Sequence, residues 1–420
     1  MRRSIFAAMA MALCLAACTE DKYVAEVTDL RLVRVDPVEG YAGSIVKVLG
    51  RNFSDSFGEN VVKIGDVEAT IIDFNRDQIT VIAPDQALGT YPIEVTTPKG
   101  TISEERVRFT YKKKPEKLYS VTTVAGNGSN SKSDGSGTSA AVGAVEGLCY
   151  APDGKIWFCQ RTGGSLSVRS FDPATTEVKT IASTLLPWGG GFDSKGDFYV
   201  AAKADNKVQK VTASGEVSDY STGATLDNPM YVKFDSKDNM WIISRNSNTI
   251  HKCKDGVQLK SWTEDNYYPT CMYIDSRDRV FIASAQLSGI FMIDGDKVVR
   301  VAGSGNKPTR ETFAESISTG NPLSAELGTI DGMFIARDNA IYFTDITTFT
   351  VMKLAPDASG DYSKGKISLI AGQPFSASVT NGKTDKAALK YPSGIVVSDD
   401  CKRIYVGEAT GYVIRMIDLN

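Results

Sequence analysis

Seven residues between positions 146 and 331 combine aromatic faces with charged groups. The aromatic residues are Trp188 and Tyr231, and the charged ones are Glu146, Arg161, Lys203, Arg245 and Asp331. A flat aromatic ring can stack on the apolar face of a sugar, while charged side chains hold its hydroxyl groups. We therefore interpret the seven as a ligand-binding set for a carbohydrate, with no catalytic residue among them.

The sequence offers few residues that could form a catalytic site. The chain has a single histidine, His251, inside the apolar run TIHKC, which excludes zinc sites built from several histidines and disfavours a Ser-His-Asp triad. A calcium-assisted lyase or lactonase is an alternative, and paired carboxylates could also cleave a glycosidic bond. The candidate calcium ligands are Glu146, Asn206, Asp331 and Glu408. Because no local motif selects one carboxylate pair, we expect a non-catalytic protein without a cofactor, and calcium stays open.

Composition narrows the partners further. The chain carries 47 Lys and Arg against 50 Asp and Glu, for a formal net charge of −3. This balance provides no basic field for a phosphate backbone, so we expect no nucleic-acid partner. The cysteines beyond residue 18 form no Cys-x-x-Cys pair, and most lie in apolar strand patterns. We expect them to be small buried hydrophobic residues and not redox or zinc-binding groups.

The elements that position the seven residues are repeats. Six segments of residues 118–420 share an apolar strand, a polar turn and a second strand with a central aromatic residue. They read GLCYAPDGKIWFCQ, GGGFDSKGDFYVAA, YVKFDSKDNMWIIS, CMYIDSRDRVFIAS, GMFIARDNAIYFTD and GIVVSDDCKRIYVGE. A spacing of about 40 residues, or about 60 where insertions occur, predicts one four-stranded blade per repeat. The run Val121 to Gly126 precedes the first repeat, so we expect it to pair with Val413 to Ile417 and close a six-bladed β-propeller.

The repeat resembles the NHL repeat. Asn228-Pro229 to Cys253 and Tyr391-Pro392 to Asp418 follow that family's pattern of a proline, an apolar strand, an Asp-containing turn, an aromatic strand and a third strand with a basic residue. The resemblance implies an NHL-type propeller over residues 118–420, with the binding set around one mouth of its channel. Long Gly/Ser-rich loops at residues 127–145, 304–322 and 373–390 are either functional or disordered.

Residues 29–111 have a different pattern of short alternating runs separated by turn residues, which predicts a β-sandwich of about seven strands. The turn Pro37, Gly40, Gly43, the run VKIGDVEATII and the closing VRFTY occur in the order of the IPT/TIG family. The segment resembles that family, which implies an immunoglobulin-like fold. Residues 112–117 are charged, contain a proline, and predict a linker.

The N-terminus predicts export and anchoring. Residues 1–17 hold Arg2 and Arg3 followed by an apolar run too short to span a bilayer, as in a signal peptide. The run ends in Leu-Ala-Ala-Cys18, which resembles a bacterial lipobox, and the acidic Glu20 and Asp21 resemble the export signal of Bacteroidetes-type lipoproteins. The resemblance implies lipidation of Cys18, a tether over residues 18–28, and a surface-exposed position on the cell outer membrane.

Together these patterns predict an all-β chain, an immunoglobulin-like sandwich followed by a six-bladed propeller. Its expected function is capture of a polysaccharide or oligosaccharide for a glycan uptake system. Two alternatives remain from the residues alone: a scaffold for a surface protein complex, and the calcium-assisted lyase or lactonase.

Overall fold

The chain divides into two compact units, one ending at Lys117 and the other beginning at Leu118. A computed structural model describes residues 29–112 and 118–420. Almost all regular structure in these ranges is β-strand, which confirms the all-β prediction. The predicted signal peptide, Cys18, the tether over 18–28 and linker residues 113–117 lie outside the described residues. Within the described part, no helix has the length and apolar character needed to cross a membrane.

The first unit is a sandwich of two sheets. Its strands are β1 (Arg31–Asp36), β2 (Glu39–Gly40), β3 (Ile45–Arg51), β4 (Val61–Ile64), β5 (Val67–Glu68), β6 (Thr70–Phe74), β7 (Gln78–Ile82), β8 (Gly89–Thr97) and β9 (Gly100–Tyr111). One sheet has the order β1-β3-β7-β6 and the other β2-β9-β8-β4-β5. Alternate residues such as Val46, Val48, Ile93 and Val95 are fully buried between the sheets, as the period-two pattern requires.

The second unit begins with β10 (Ser120–Ala125) and the short strands β11 (Lys132–Ser133), β12 (Gly135–Ser136) and β13 (Ala141–Val142). Six sheets of four principal strands follow, numbered here as blades in chain order. Blade 1 holds β14 (Val145–Tyr150), β15 (Ile156–Gln160), β16 (Ser167–Phe171) and β17 (Glu177–Ser183), and blade 2 holds β18 (Pro187–Phe192), β19 (Phe198–Ala202), β20 (Lys207–Val211) and β21 (Val217–Tyr220).

Blade 3 holds β22 (Pro229–Phe234), β23 (Met240–Ser244), β24 (Thr249–Lys254) and β25 (Val257–Thr263). Blade 4 holds β26 (Pro269–Ile274), β27 (Val280–Ser284), β28 (Gly289–Asp294) and β29 (Lys297–Ala302). The short helix α1 (Phe313–Ser318) precedes blade 5, which holds β30 (Ile330–Ile335), β31 (Ile341–Asp345), β32 (Thr350–Ala355) and β33 (Lys366–Ala371). After β34 (Gly382–Lys383), blade 6 holds β35 (Pro392–Val397), β36 (Arg403–Glu408), β37 (Val413–Asp418) and β10.

The first strand of each blade contacts the first strand of the next, and β35 contacts β14, so the six inner strands form a closed ring. The last sheet is completed by the start of the unit, as expected: β10 pairs antiparallel with β37, with Val121 opposite Ile417. Second strands such as β15 and β23 are buried along their whole length, because each blade is covered on both faces by its neighbours.

Two fully buried arginines hold the long loops on either side of the closure. Arg169 donates to the carbonyls of Ala141 and Ser133 and to the side chains of Gln160 and Asp134, at 2.6 to 2.9 Å. In the equivalent place, Arg415 donates to the carbonyls of Ala388 and Thr380 and to the side chains of Glu408 and Asn381, at 2.8 to 3.2 Å. Loop residues 127–145 and 373–390 therefore pack onto the blades through guanidinium groups that make four hydrogen bonds each, while the Nε–H of each has no acceptor among the described residues.

Candidate functional site

A cavity of about 390 Å³ lies at the end of the propeller where the first strands of the blades begin. Residues from several blades line it: Glu146, Arg161, Trp188, Arg245, Tyr268, Thr270, Ala285, Gln286, Lys307, Thr329, Asp331, Ile346, Tyr391 and Ala409. Its size is in the range of small-molecule sites. Of the seven predicted site residues, the structure brings Glu146, Arg161, Trp188, Arg245 and Asp331 into this lining.

Trp188 is surrounded by positive charge. The Lys203 ammonium lies 3.6 Å from the centroid of the indole ring, and the guanidinium carbons of Arg161 and Arg245 lie 4.8 and 5.8 Å from it. Cations are attracted to the negative face of an indole, which explains how three of them gather around one side chain. Lys203 thus reaches the site through Trp188 although it is not part of the cavity lining.

This arrangement changes the role expected for Trp188. Because Lys203 already lies against its ring, that face of Trp188 holds a cation and is not open for stacking on a ligand. Its Nε1 group is buried and has no hydrogen-bond acceptor among the described residues. A buried donor without a partner is uncommon in folded proteins and is satisfied when a water or ligand oxygen lies nearby.

Two buried carboxyl groups form the acidic part of the site. Glu146 is the second residue of the inner strand of blade 1. It accepts a hydrogen bond from Arg161 Nε at 2.7 Å, while its Oε2 atom has no partner among the described residues. Asp331, on the inner strand of blade 5, is 6% exposed. Burial raises the pKa of Glu146 to about 8, and the nearby Asp331 charge adds to that rise. Burial also raises the pKa of Asp331, so burial shifts both carboxyl groups toward the protonated form.

The same surroundings lower the pKa of a basic group. Burial, together with the positive charges of Arg245 and Arg161, lowers the pKa of Lys203 to about 8. Arg245 donates through Nε to the carbonyl oxygen of Pro269 at 3.3 Å. Like charges held this close together in a partly desolvated site repel one another. The site therefore holds cations at an electrostatic cost.

Tyr231 has a different role from the one expected. Its side chain is 4% exposed, and its hydroxyl donates to the Asp331 carbonyl oxygen at 2.8 Å. The backbone of Gly189 packs directly on its ring, since a Cβ atom at that glycine would lie 2.5 Å from Tyr231 Cδ1. The Tyr231 face is covered, so it braces blades 3 and 5 beneath the cavity and cannot stack on a ligand.

The exposed aromatic faces come instead from Tyr268 and Tyr391, which are 43% and 42% exposed. Each precedes the proline that starts an inner strand and has a positive φ, 47° for Tyr268 and 52° for Tyr391. That conformation favours Gly or Asn and is strained for a bulky residue. The signal in the sequence was the dipeptide Tyr-Pro at the place where blade 3 has Asn228-Pro229.

The four candidate calcium ligands do not come together. Glu408 is fully buried and ion-paired to Arg415 at 2.8 Å, and Asn206 Oδ1 accepts a hydrogen bond from the backbone of Asn228 at 2.7 Å. Glu146 and Asp331 remain, and Arg161, Lys203 and Arg245 stand beside them. Within residues 29–112 and 118–420, no group of three or more His, Cys, Asp or Glu side chains is arranged to hold a metal ion. This donor set fits calcium poorly, because calcium requires several oxygen ligands.

His251 lies away from the cavity, inside blade 3. Its Nε2 is 3.1 Å from Ser244 Oγ and its Nδ1 is 3.0 Å from Gln258 Oε1, with no carboxylate in the chain of contacts. Both Ser244 and His251 are buried. Burial lowers the pKa of His251, so the ring favours its neutral form. The contacts make it a structural histidine.

Comparison with known proteins identifies the first unit. Residues 30–111 match the IPT/TIG domain family. The first unit contains an IPT/TIG domain. The family resemblance predicted from the turn Pro37, Gly40, Gly43 is thereby confirmed, and the match includes both sheets of the sandwich. A search of curated proteins finds none that matches the chain.

Solved structures resemble the chain over most of its length. An auxiliary nutrient binding protein from Bacteroides ovatus is 17% identical with a TM-score of 0.57, covering 93% of this chain and 97% of its own. A second auxiliary nutrient binding protein, from Bacteroides thetaiotaomicron, is 16% identical with a TM-score of 0.58, covering 92% and 97%. A gluconolactonase from Xanthomonas campestris is 10% identical with a TM-score of 0.51, covering 72% and 90%. At these identities the likeness concerns the fold.

Proposed function

We propose that this protein binds a saccharide nutrient at the propeller cavity without altering it chemically. The observation that carries the proposal is the cavity itself, whose lining combines two exposed tyrosines, several cations and a tryptophan with an unpartnered indole N–H. Aromatic faces beside directed polar groups are the usual means of holding a sugar ring. The full-length likeness to proteins described as auxiliary nutrient binding proteins supports a binding role.

The chemistry of the carboxyl groups supports binding over catalysis. Glu146 is engaged by Arg161, and both Glu146 and Asp331 are buried in the cavity floor. Glycosidases need one ionised and one protonated carboxyl group on opposite sides of the scissile bond. Glu146 is 1% exposed and Asp331 is 6% exposed, so neither carboxyl group is open to a glycosidic bond in the cavity.

We also propose that the protein is anchored by lipid at Cys18 and faces outward from the outer membrane of a Bacteroidetes-type cell, within a glycan uptake system. The support is the lipobox-like run that ends at Cys18 and the acidic residues after it. Metabolic labelling with a palmitate analogue should mark the wild-type chain and not Cys18→Ala. Equal labelling of the two, or none, contradicts the anchor.

Affinity electrophoresis across a panel of polysaccharides tests the binding role. We expect retardation by at least one polysaccharide. Trp188→Ala should weaken it at least about thirtyfold, because Trp188 holds Arg161, Lys203 and Arg245 together and a central side chain of a desolvated site is worth about 2 kcal/mol or more. Phe57→Ala is the matched control, since Phe57 is a 94% exposed aromatic residue in the IPT/TIG domain. Calorimetric melting curves check that both variants are folded.

The same experiment separates the rivals. No retardation by any polysaccharide contradicts the proposal. Binding to a protein partner that survives Trp188→Ala favours the scaffold reading. Release of shortened or opened sugars, detected by mass spectrometry after incubation, contradicts a non-catalytic role and favours the lyase or lactonase.

A further inference from the structure

The cavity contains more positive charge than the protein itself neutralises. Among residues 29–112 and 118–420, Arg161 is paired with Glu146, but no carboxylate lies within ion-pair distance of Lys203, Arg245 or Lys307. Elsewhere in the propeller, Arg279 pairs with Asp275 at 2.7 Å and Lys353 with Asp338 at 2.8 Å, whereas Arg300 and Lys233 donate to backbone carbonyls. What distinguishes the cavity is the number of cations gathered in one place, three of them around one indole ring.

The acidic groups of the cavity do little to offset this charge. Glu146 is 1% exposed and Asp331 is 6% exposed, and they face each other across the same site. Two carboxylates cannot both remain ionised cheaply when they are buried close together, and the pair is expected to retain a proton. Asp331 attracts Arg245, Arg161 and Lys203 without forming an ion pair with them among the described residues. Even with both carboxyl groups ionised, two negative charges face the four cations Arg161, Lys203, Arg245 and the exposed Lys307, so positive charge is in excess.

The uncompensated cations and the exposed aromatic faces lie together. The Arg245 guanidinium carbon is 5.0 Å from the centroid of the Tyr268 ring and 5.8 Å from that of Trp188. A ligand that stacks on Tyr268 would therefore bring its substituents next to a guanidinium group. Guanidinium groups bind carboxylate and sulfate in a planar, two-pronged manner.

We propose that the ligand is an acidic saccharide, whose carboxylate or sulfate group binds Arg245 and Lys203 while its ring lies against Tyr268. This inference rests on the proposed saccharide-binding function and specifies its substrate class. The anion supplies the negative charge that Lys203, Arg245 and Lys307 lack within the protein. Neutral saccharides leave these cations without a counter-charge and bind more weakly.

Matched pairs of polysaccharides test the inference by affinity electrophoresis of the folded full-length protein. Polygalacturonate carries only carboxylates and is compared with its methyl ester; carrageenan carries only sulfates and is compared with agarose. A wider panel of acidic and neutral polysaccharides surrounds the two pairs. We expect retardation by an acidic member, loss of it in the neutral counterpart, and weakening by added salt. The two arms distinguish carboxylate from sulfate.

Charge-removing variants link the preference to this cavity. Arg245→Gln and Lys203→Gln should each weaken binding of the acidic polysaccharide by about tenfold or more, as expected for loss of a charge-assisted hydrogen bond. Arg277→Gln is the control, because Arg277 lies in the turn between the first two strands of blade 4, at the end away from the starts of the inner strands and outside the cavity lining. Equal or tighter binding of neutral polysaccharides overturns the inference and leaves the proposed function standing. Absence of binding to either class overturns both.

Discussion

Two sets of cations in the propeller differ in what surrounds them. Arg169 and Arg415 are fully buried, and each makes four hydrogen bonds to loop carbonyls and side chains. Lys203 and Arg245 are only partly buried, gather around one indole ring, and have no carboxylate partner among the described residues. Arg169 and Arg415 donate their hydrogen bonds to other groups of the protein. Lys203 and Arg245 have donors that a ligand in the cavity can accept.

The difference shows that the burial of a charged side chain does not by itself indicate a binding role. A fully buried arginine that makes four hydrogen bonds within the protein stabilises the fold, and its replacement costs stability. A partly buried cation without a counter-charge contributes little to stability, and its free directions are available to a ligand. Removing charge from the first pair should therefore change folding, and from the second pair should change binding.

The largest expected effect is on stability, when one of the two fully buried arginines is replaced. Arg415→Ala should lower the free energy of unfolding by about 3 kcal/mol or more, because it leaves Glu408 and the carbonyls of residues 380 and 388 buried without their donor. Chemical denaturation of wild type and variant measures the change. The double variant Arg415→Met with Glu408→Leu should recover part of the loss. If the single variant loses less than about 1 kcal/mol of its free energy of unfolding, Arg415 does not hold loop residues 373–390 on the blades as inferred.

An intermediate effect is expected on the pH dependence of ligand affinity at the cavity. Glu146 and Lys203 both have a pKa of about 8, so raising the pH through 8 adds a negative charge at one and removes a positive charge at the other. Both changes oppose an anion, so affinity for an acidic polysaccharide should be highest below pH 8 and fall about tenfold by pH 9. Asp331 and Arg161 face Glu146 from the neighbouring elements, and the Arg161 charge persists throughout this range.

The pH series needs its own comparison. Calorimetric titrations between pH 6 and 9 with an acidic ligand and a neutral one separate a charge effect from a general loss of structure. Lys203→Gln should reduce the slope, since one of the two titrating groups is then gone. A slope of the opposite sign, with tighter acidic binding at pH 9, contradicts the charge assignment of the cavity.

The smallest effect concerns the strained tyrosines. Tyr268 has a φ of 47° where the equivalent Asn228 has a φ of 56°, and asparagine tolerates this conformation better. Tyr268→Asn should raise the free energy of unfolding by about 0.5–1 kcal/mol while weakening saccharide binding. The reciprocal variant Asn228→Tyr should lose stability. A Tyr268→Asn protein that is less stable and binds normally would remove Tyr268 from the site.

The sequence by itself determined the layout of the chain. Runs of alternating apolar residues predicted the sandwich, and the repeated aromatic strands predicted four-stranded sheets. The pairing of Val121 to Gly126 with the last strand also followed, because an unpaired edge next to an incomplete sheet has one natural partner. These features depend on local periodicity and on counting strands, which are visible without coordinates. Five residues of the cavity lining were predicted in the same way, from their position within the repeat: Glu146, Arg161, Trp188, Arg245 and Asp331.

Only the tertiary structure decided what those residues do. Tyr231 and Trp188 are both aromatic residues at inner-strand starts, but Gly189 covers the first and Lys203 lies against the second. Tyr268 and Tyr391 are the exposed aromatic residues because a positive φ directs them to the rim. Glu408 accepts a hydrogen bond from Arg415 and is not available to a ligand, which depends on contacts between strands and distant loops. Such contacts join residues far apart in sequence, and their geometry follows from side-chain packing and not from local pattern.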